Sequence, residues 1–304
     1  MERKKFIQLS LSATALWLLK PFHTMAQDLE AKDINVVYYR KGAPEYEQLR
    51  KGFNKRINNY PLVVARCYNT QGVAEAIKLA HKNNWAVTVK SGGHCMEGFS
   101  SGKEGMTIDL SAMNGIKSIG NKLIQVGPSC KLSELYAFLL PQGMIIPGGS
   151  CAGVAVAGLT LGGGYGLMSR KFGLTCDSLE SLTMVDGQGN IIDTASDPEL
   201  LWACKGGNNG NFGVVTQMVF KTHQAPATMK SYKFRSYKVD VKRAQHLLQT
   251  WFQLSQSLPN DCFSAFVQNH TTTYILLTQT ATSNNAAVKQ FIEGLTTISD
   301  KSSQ

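Results

Sequence analysis

Residues 148–177 constrain this chain more than any other stretch. They read Gly148-Gly149-Ser150-Cys151, then small and apolar residues to Leu161, then Gly162-Gly163-Gly164-Tyr165-Gly166, and finally Gly173-Leu174-Thr175-Cys176-Asp177, with no charge before Arg170. Glycine at this density costs chain entropy on folding and returns no side-chain packing. A flexible linker would carry serine and other polar residues, not Val154, Val156, Leu159 and Leu161. The run therefore points to backbone pressed against a large, flat, partly charged ligand.

Residues 1–27 read as an export signal. Arg3, Lys4 and Lys5 form a basic head, residues 9–19 an apolar core, and Thr24-Met25-Ala26 a small-residue cleavage site before Gln27. The core is too short for a membrane span and ends at Lys20-Pro21. A buried N-terminal helix would not need head, core and cleavage site in that order. Arg3-Lys4-Lys5-Phe6-Ile7 also resembles a twin-arginine signal with lysine for the second arginine, so the expected location is periplasmic or secreted. Without these residues the formal charge falls from +10 to +7, 27 basic against 20 acidic. That modest excess, with no basic run, gives nucleic-acid binding little support.

Seven cysteines, at 67, 95, 130, 151, 176, 204 and 262, form no CxxC pair and no short His/Cys cluster, which weakens zinc and thioredoxin-like readings. The odd count leaves at least one thiol unpaired. Most read as small buried hydrophobes, with Cys151 set apart by its neighbours.

Along the chain, residues 46–57 are expected to be helical and 62–66 to form a strand. Val73, Ala76, Ile77 and Ala80 follow at helical spacing with Asn69 or Thr70 as cap, and then a strand at 85–90. Strand, helix, strand at this length is a βαβ unit with parallel strands. Further strands are expected at 106–110 and 124–126, a helix at 132–140, and a hairpin of 181–185 and 191–194 about Asp186-Gly187-Gln188-Gly189. A second glycine cluster, 206–213, feeds a strand ending at Phe220. After Ala225-Pro226 come a strand (230–237), a helix (244–258), two strands (263–269 and 272–279) and a helix (286–295).

The loop Ser91-Gly92-Gly93-His94 follows a strand directly. Glycines there let successive N–H groups turn inward and form a nest for a pyrophosphate. The loop is neither G-x-G-x-x-G opening a helix nor a Walker loop, so Rossmann and P-loop readings fail. Taken alone, a plain tight turn is the better reading of it.

Ser-Gly-Gly-His at 91–94, Gly-Gly-Ser-Cys at 148–151, Gly-Gly-Gly-Tyr-Gly at 162–166, Gly-Leu-x-x-Asp at 173–177 and Gly-Asn-Phe-Gly-Val-Val at 210–215 occur in this order. Together they resemble the FAD-linked oxidoreductases of the vanillyl-alcohol-oxidase (PCMH-type) superfamily, berberine-bridge-enzyme-like branch, over about residues 62–220. The resemblance implies an α+β fold: a two-subdomain PCMH-type FAD-binding domain at 33–224, then an incomplete α/β substrate domain at 225–304, an antiparallel sheet with helices. It also implies FAD joined covalently through His94 and Cys151, an imidazole and a thiolate being nucleophiles able to add to an electron-poor ring. By the same matching, Ser91, Gly92 and Gly93 offer N–H groups to the pyrophosphate. Gly158, Gly162, Gly163 and Gly166 let backbone pass the ribityl chain and phosphates, and Val215 meets the cofactor through its main chain. Lys90, Cys95, Ser100, Gly149, Ser150 and Tyr165 complete the implied cofactor set. Val154 stands where plant members of the branch gate oxygen by side-chain size, and valine there favours an oxidase.

The chain departs from the family pattern in two places. Met96 replaces an aromatic that relatives often place two residues after the linking histidine. The substrate domain also stops early, before the portion that usually supplies the catalytic base, so no catalytic residue is assigned. His223, His246 and His270 belong to no motif and read as surface or satisfied residues. The activity implied is hydride transfer from an alcohol-type C–H, with oxygen or another acceptor closing the cycle and saccharides as the leading substrate class. Two rivals are a catalytically incomplete FAD-binding fragment and an exported binding protein without flavin.

Overall fold

Alternating apolar residues at Val63 and Ala65 and the apolar face of the 70–82 segment build the first layer. The structure, a computed structural model, describes residues 34–280 and 285–304. The chain divides into Met1–Asn35 and Val36–Gln304, and the elements below belong to the second unit. The export signal expected at 1–27 lies outside the described residues. Strands β1 (Val36–Tyr39), β2 (Val63–Cys67), β3 (Val87–Lys90) and β4 (Met106–Asp109) form a sheet in the order β1-β2-β4-β3. Helix α1 (Tyr46–Leu49) lies between β1 and β2, and α2 (Thr70–Lys82) between β2 and β3. Asn69 caps α2 by accepting from the Gly72 N–H at 2.9 Å. Strands β2 and β3 run parallel, as the βαβ reading requires, but β4 lies between them and pairs with both. The expected 46–57 helix stops at Leu49. Beyond it the chain turns to brace the 91–101 loop: the Phe53 N–H donates to the Gly93 carbonyl (2.8 Å), and the side chains of Asn54 and Asn59 donate to the carbonyls of Met96 and Ser101.

A second sheet has the order β5-β6-β10-β8-β9. Its strands are β5 (Ile116–Gly120), β6 (Leu123–Val126), β8 (Leu179–Val185), β9 (Ile191–Asp193) and β10 (Val214–Lys221). Between β6 and β8 lie α3 (Leu132–Leu139), β7 (Met144–Ile145), α4 (Val156–Leu161) and α5 (Ser169–Phe172); α6 (Pro198–Cys204) precedes β10, and β11 (His223–Gln224) pairs with β7. The two sheets share a core. Val73, Ala76, Ile77 and Ala80 of α2 pack with Met106 and Ile108 of β4 and also with Val185 and Val214 of the second sheet. The expected 8–9 hairpin forms about residues 186–190.

The third sheet is antiparallel, in the order β13-β14-β12-β15. It comprises β12 (Met229–Ser236), β13 (Cys262–Asn269), β14 (Thr272–Thr280) and β15 (Lys301–Ser303), with helices α7 (Val241–Ser255) and α8 (Ala286–Ile298). Both helices cover one face, where Phe234, Ile275, Leu277, Phe291 and Leu295 are buried. The α+β class and the antiparallel sheet with helices are as the sequence implies. No helix among the described residues is long and apolar enough to cross a membrane.

Candidate functional site

Three glycine-rich segments far apart in sequence meet along one seam. A Cβ on Gly92 would lie 2.7 Å from the Ala155 Cβ, so the 91–94 loop rests directly on the 148–166 segment. Pro128 ties both sides: its carbonyl accepts from the Ser91 Oγ (2.7 Å) and from the Ala157 N–H (3.3 Å). The third segment closes on α4: the Asn208 N–H donates to the Leu161 carbonyl (3.0 Å) and the Asn209 Nδ2 to the Gly158 carbonyl (3.2 Å). Gly163 also lies against Gly206. Within the central segment, a Cβ on Gly166 would fall 1.8 Å from the Gly148 carbonyl oxygen, so only glycine permits that crossing. The Gly-Leu-x-x-Asp motif locks it: Thr175 and Cys176 N–H groups donate to the carbonyls of Gly164 and Gly163, and Asp177 accepts from the Leu174 N–H.

What this seam presents outward is backbone. The N–H groups of Ser91, Gly92, Gly93 and His94 donate to no acceptor among the described residues, and the same holds for Gly149, Ser150 and Cys151. Gly92, Ser150, Cys151, Gly158 and Gly162 are exposed. Successive unpaired N–H groups after a strand form an anion seat, and Gly93 has the positive φ (+66°) that such a turn needs. The Ser129 hydroxyl, next to Pro128, is buried with no hydrogen-bond partner among the described residues. A buried orphan oxygen calls for a ligand or water to complete it. These unpaired groups fit a cofactor that brings phosphate and hydroxyl oxygens to the seam.

His94 is half-buried and stacks on Phe53, ring centroids 4.1 Å apart at 13°. Cys151 is exposed on a turn closed by the Val154 N–H donating to the Cys151 carbonyl (3.2 Å). Helix α3 holds that turn from below: its free N–H groups at Leu132 and Ser133 donate to the carbonyls of Val154 and Ala152. None of the seven cysteines is in a disulfide, and five are buried. Burial pushes the thiols of Cys67 and Cys130 up to about 12 and that of Cys262 to about 11, which makes them inert. Cys95 is half-buried, its Sγ 3.6 Å from a Glu97 carboxylate oxygen. Cys151 is thus the one fully exposed thiol of the seven.

Several expected residues have other engagements. The Lys90 ammonium is buried, 2.8 Å from the Asp109 carboxylate, and donates to the Leu49 carbonyl as well. Its own carbonyl accepts from the Leu110 N–H. Val215 lies in the core with Met218 and Leu182. The β6 ladder pairs only Met218 to Lys221 of β10, which leaves Val215 with β8 as its strand neighbour. Val154 is half-buried against the same core. Ser100 lies half-buried farther along the 91–101 loop, and Tyr165 is 72 % exposed. Met96 is exposed too. His223 is satisfied, stacked on Phe172 and 3.0 Å from the Ser178 hydroxyl, and desolvation holds its imidazole below the usual value. His246 and His270 are exposed.

Motif matching overlooked three residues that shape the seam. Tyr136 donates its hydroxyl to the Gly149 carbonyl (3.0 Å), and burial pushes that phenol up to about 12. Phe53 backs His94. Arg170, the first charge after the glycine run, donates to the carbonyls of Leu258, Pro259 and Cys262 at 2.9–3.2 Å, and so fastens the third sheet beside the seam. Its place as the first charge after an apolar run was the one available signal.

Glycine-bare backbone with unpaired donors, between a mixed sheet and an antiparallel one, defines a binding domain for a dinucleotide-sized cofactor. Residues 61–195 match the family described as FAD binding domain. Its relatives are FAD-linked oxidoreductases, berberine-bridge-enzyme-like proteins among them. It is 40 % identical over 185 residues to the FAD-linked oxidoreductase YgaK of Bacillus subtilis, a match covering 59 % of this chain and 41 % of that protein. Among solved structures, Physcomitrella patens BBE-like 1 superposes with a TM-score of 0.79 at 26 % identity, over 86 % of this chain and 58 % of that one. Xylooligosaccharide oxidase from Myceliophthora thermophila, in complex with xylobiose, gives 0.77 at 25 %, over 88 % and 58 %. The chain spans less than half the length of the curated relatives it matches.

Proposed function

We propose that this chain is the FAD-holding part of an oxidoreductase that oxidises an alcohol-type C–H, with saccharides as the substrate class and oxygen or another acceptor completing turnover. The observation that carries the reading is the meeting of the 91–94 loop with the 148–166 segment at Gly92 and Ala155, which puts His94 and the exposed Cys151 on loops joined at one contact. FAD, when bound, accepts the hydride. The chain's own part is to seat and fix it. The free N–H groups of residues 91–94 receive the pyrophosphate, and the exposed backbone at Gly158 and Gly162 admits the ribityl chain, while Gly163 and Gly166 are buried and serve by permitting the close chain crossing beneath it. The main chain of Val215 meets the cofactor on the side that β6 leaves unpaired. His94, held flat by Phe53, and Cys151, held on its turn by α3, bond covalently to the ring. With Lys90 committed to Asp109, its share in the site is to anchor the loop. Ser150, Gly149 and Tyr165 flank Cys151, while Cys95 and Ser100 line the first loop. An export signal at residues 1–27 places the protein outside the cytoplasm.

The saccharide reading is supported by the xylooligosaccharide oxidase likeness and by a tethered cofactor, which tolerates an open groove. A second reading is an FAD-binding protein without turnover of its own, since no catalytic base is assigned among the described residues. Acid precipitation separates the claims. Yellow colour that stays with the protein, and an intact mass raised by one FAD, support attachment. His94→Ala or Cys151→Ala alone should keep colour through the remaining bond, and the double variant should release it. A colourless product of bare polypeptide mass after expression with ample riboflavin overturns the reading. Anaerobic bleaching by oligosaccharides then distinguishes enzyme from inert carrier.

A further inference from the structure

Glycines at 148, 149 and 153 flank Cys151, and glycine backbone by itself sets no course for the chain between them. What fixes this stretch is the start of α3. After the cysteine, the Ala152 and Val154 carbonyls accept from the N–H groups of Ser133 (3.1 Å) and Leu132 (2.9 Å). Before it, the Gly149 carbonyl accepts from the hydroxyl of Tyr136, one helical turn further along α3, at 3.0 Å. The N–H groups of residues 149–151 have no acceptor among the described residues, so the Tyr136 bond is what holds Gly149. Gly148 closes on the same hydroxyl, from which a Cβ there would lie 2.7 Å. His94 is supported from elsewhere. The Phe53 N–H donates to the Gly93 carbonyl (2.8 Å), the Phe53 ring stacks on the imidazole, and a Cβ on Gly52 would lie 2.9 Å from the Gly93 oxygen. The two loops meet through Pro128 and at Gly92 and Ala155, which lies past Cys151 and past all three α3 bonds.

We propose that Tyr136 is a positioning residue for Cys151, acting through the Gly149 carbonyl, and that His94 is positioned independently of it, so that the two bonds to the cofactor can be lost one at a time. The proposal rests on the covalent reading above for the bonds, and on the α3 contacts for the placement of the turn. Each attachment joins a nucleophile to a carbon of the flavin and removes one hydrogen from each; the two protons and two electrons pass to oxygen, which becomes hydrogen peroxide. The nucleophile must be held beside its carbon for that to happen, and a displacement on the order of 1 Å is costly. Without the phenol hydroxyl, Gly148 and Gly149 are free to move, while the ties at Ala152 and Val154 keep the fold in place.

The test supplies FAD to the full chain in air and follows the acid-stable share of flavin over time in two backgrounds. His94→Ala leaves only the thiol to bond, and Cys151→Ala leaves only the imidazole. Tyr136→Phe should slow attachment about tenfold in the first background and leave the second unchanged. Phe53→Ala should do the reverse, and Phe53→Tyr should restore the rate, since the stack needs only a ring. Amide exchange supplies a readout free of flavin: in Tyr136→Phe the Val154 N–H, which closes the Cys151 turn, should exchange faster while the Phe53 N–H keeps its protection. A merely structural role for Tyr136 would slow both backgrounds alike. That result, no slowing in either, or an unchanged Val154 amide overturns the proposal. Parents that hold no acid-stable flavin defeat the covalent reading itself, whereas parents that attach it and variants that match them defeat this inference alone.

Discussion

Along residues 149–162 stretches of backbone are laid bare, with the N–H groups of residues 149–151 unpaired among the described residues and glycines exposed at 158 and 162. From β12 to β15 it is clothed: Phe234, Phe291 and Leu295 are buried to 2 % or less, and two amphipathic helices cover one side. The first region buries Val156, Ala157 and Leu161 in the core beneath it but leaves several of its glycines without side-chain cover. The second completes itself under its two helices. Their difference teaches that apolar burial holds the third sheet, whereas the glycine segment joins burial to open backbone that the proposed cofactor would further stabilise.

Phe291→Ala should cause the largest loss in the clothed region, about 4 kcal/mol, read as a lower denaturation midpoint. If the two regions are independent, acid-stable flavin per folded protein stays constant; a parallel fall breaks the comparison. Gly166→Ala attacks the bare region through its 1.8 Å approach to the Gly148 carbonyl. It should cost about 3 kcal/mol and, unlike the phenylalanine variant, reduce flavin retention as well. Arg170→Ala cuts the link between the regions. Its side chain is exposed, so the expected loss is only about 1.5 kcal/mol, but amide exchange at residues 258–262 should accelerate ahead of global unfolding.

The smallest effect is expected from Tyr136→Phe, about 1 kcal/mol for the bond to the Gly149 carbonyl. Here pH sharpens the contrast. The folded phenol titrates at about 12 against an ordinary 10.0, so the native state holds its proton more tightly. Stability from this group is complete below pH 10 and is lost as pH rises toward 12. The phenylalanine variant should flatten that part of the alkaline unfolding curve. The slope from Cys67 and Cys130, which begins near their ordinary 9.0, should remain.

The clothed region was legible from periodicity. The expected strands at 230–237, 263–269 and 272–279 and helices at 244–258 and 286–295 match β12, β13, β14, α7 and α8 closely, because one-sided burial writes an alternating or helical pattern. The bare region was legible from motifs alone. Its helix α4 was not anticipated: six residues with a glycine in the middle have little intrinsic helicity. The start of α4 is set by distant carbonyls, those of Pro128 and Cys130, which accept from Ala157 and Val156. Strand β5 went unseen because four of its five residues are exposed, and β15 because all three are. Arg170, Tyr136 and Phe53 act through carbonyls and ring faces that only the folded chain brings near.

The pairing of Lys90 with Asp109 has a consequence for how the cofactor proposed to sit at residues 91–94 would be loaded. A free ammonium beneath residues 91–94 would draw in a diphosphate by long-range attraction, and salt would weaken that pull. Here the positive charge is already spent on a buried carboxylate, and the seat offers amide dipoles instead. Capture should therefore be short-ranged and nearly indifferent to ionic strength.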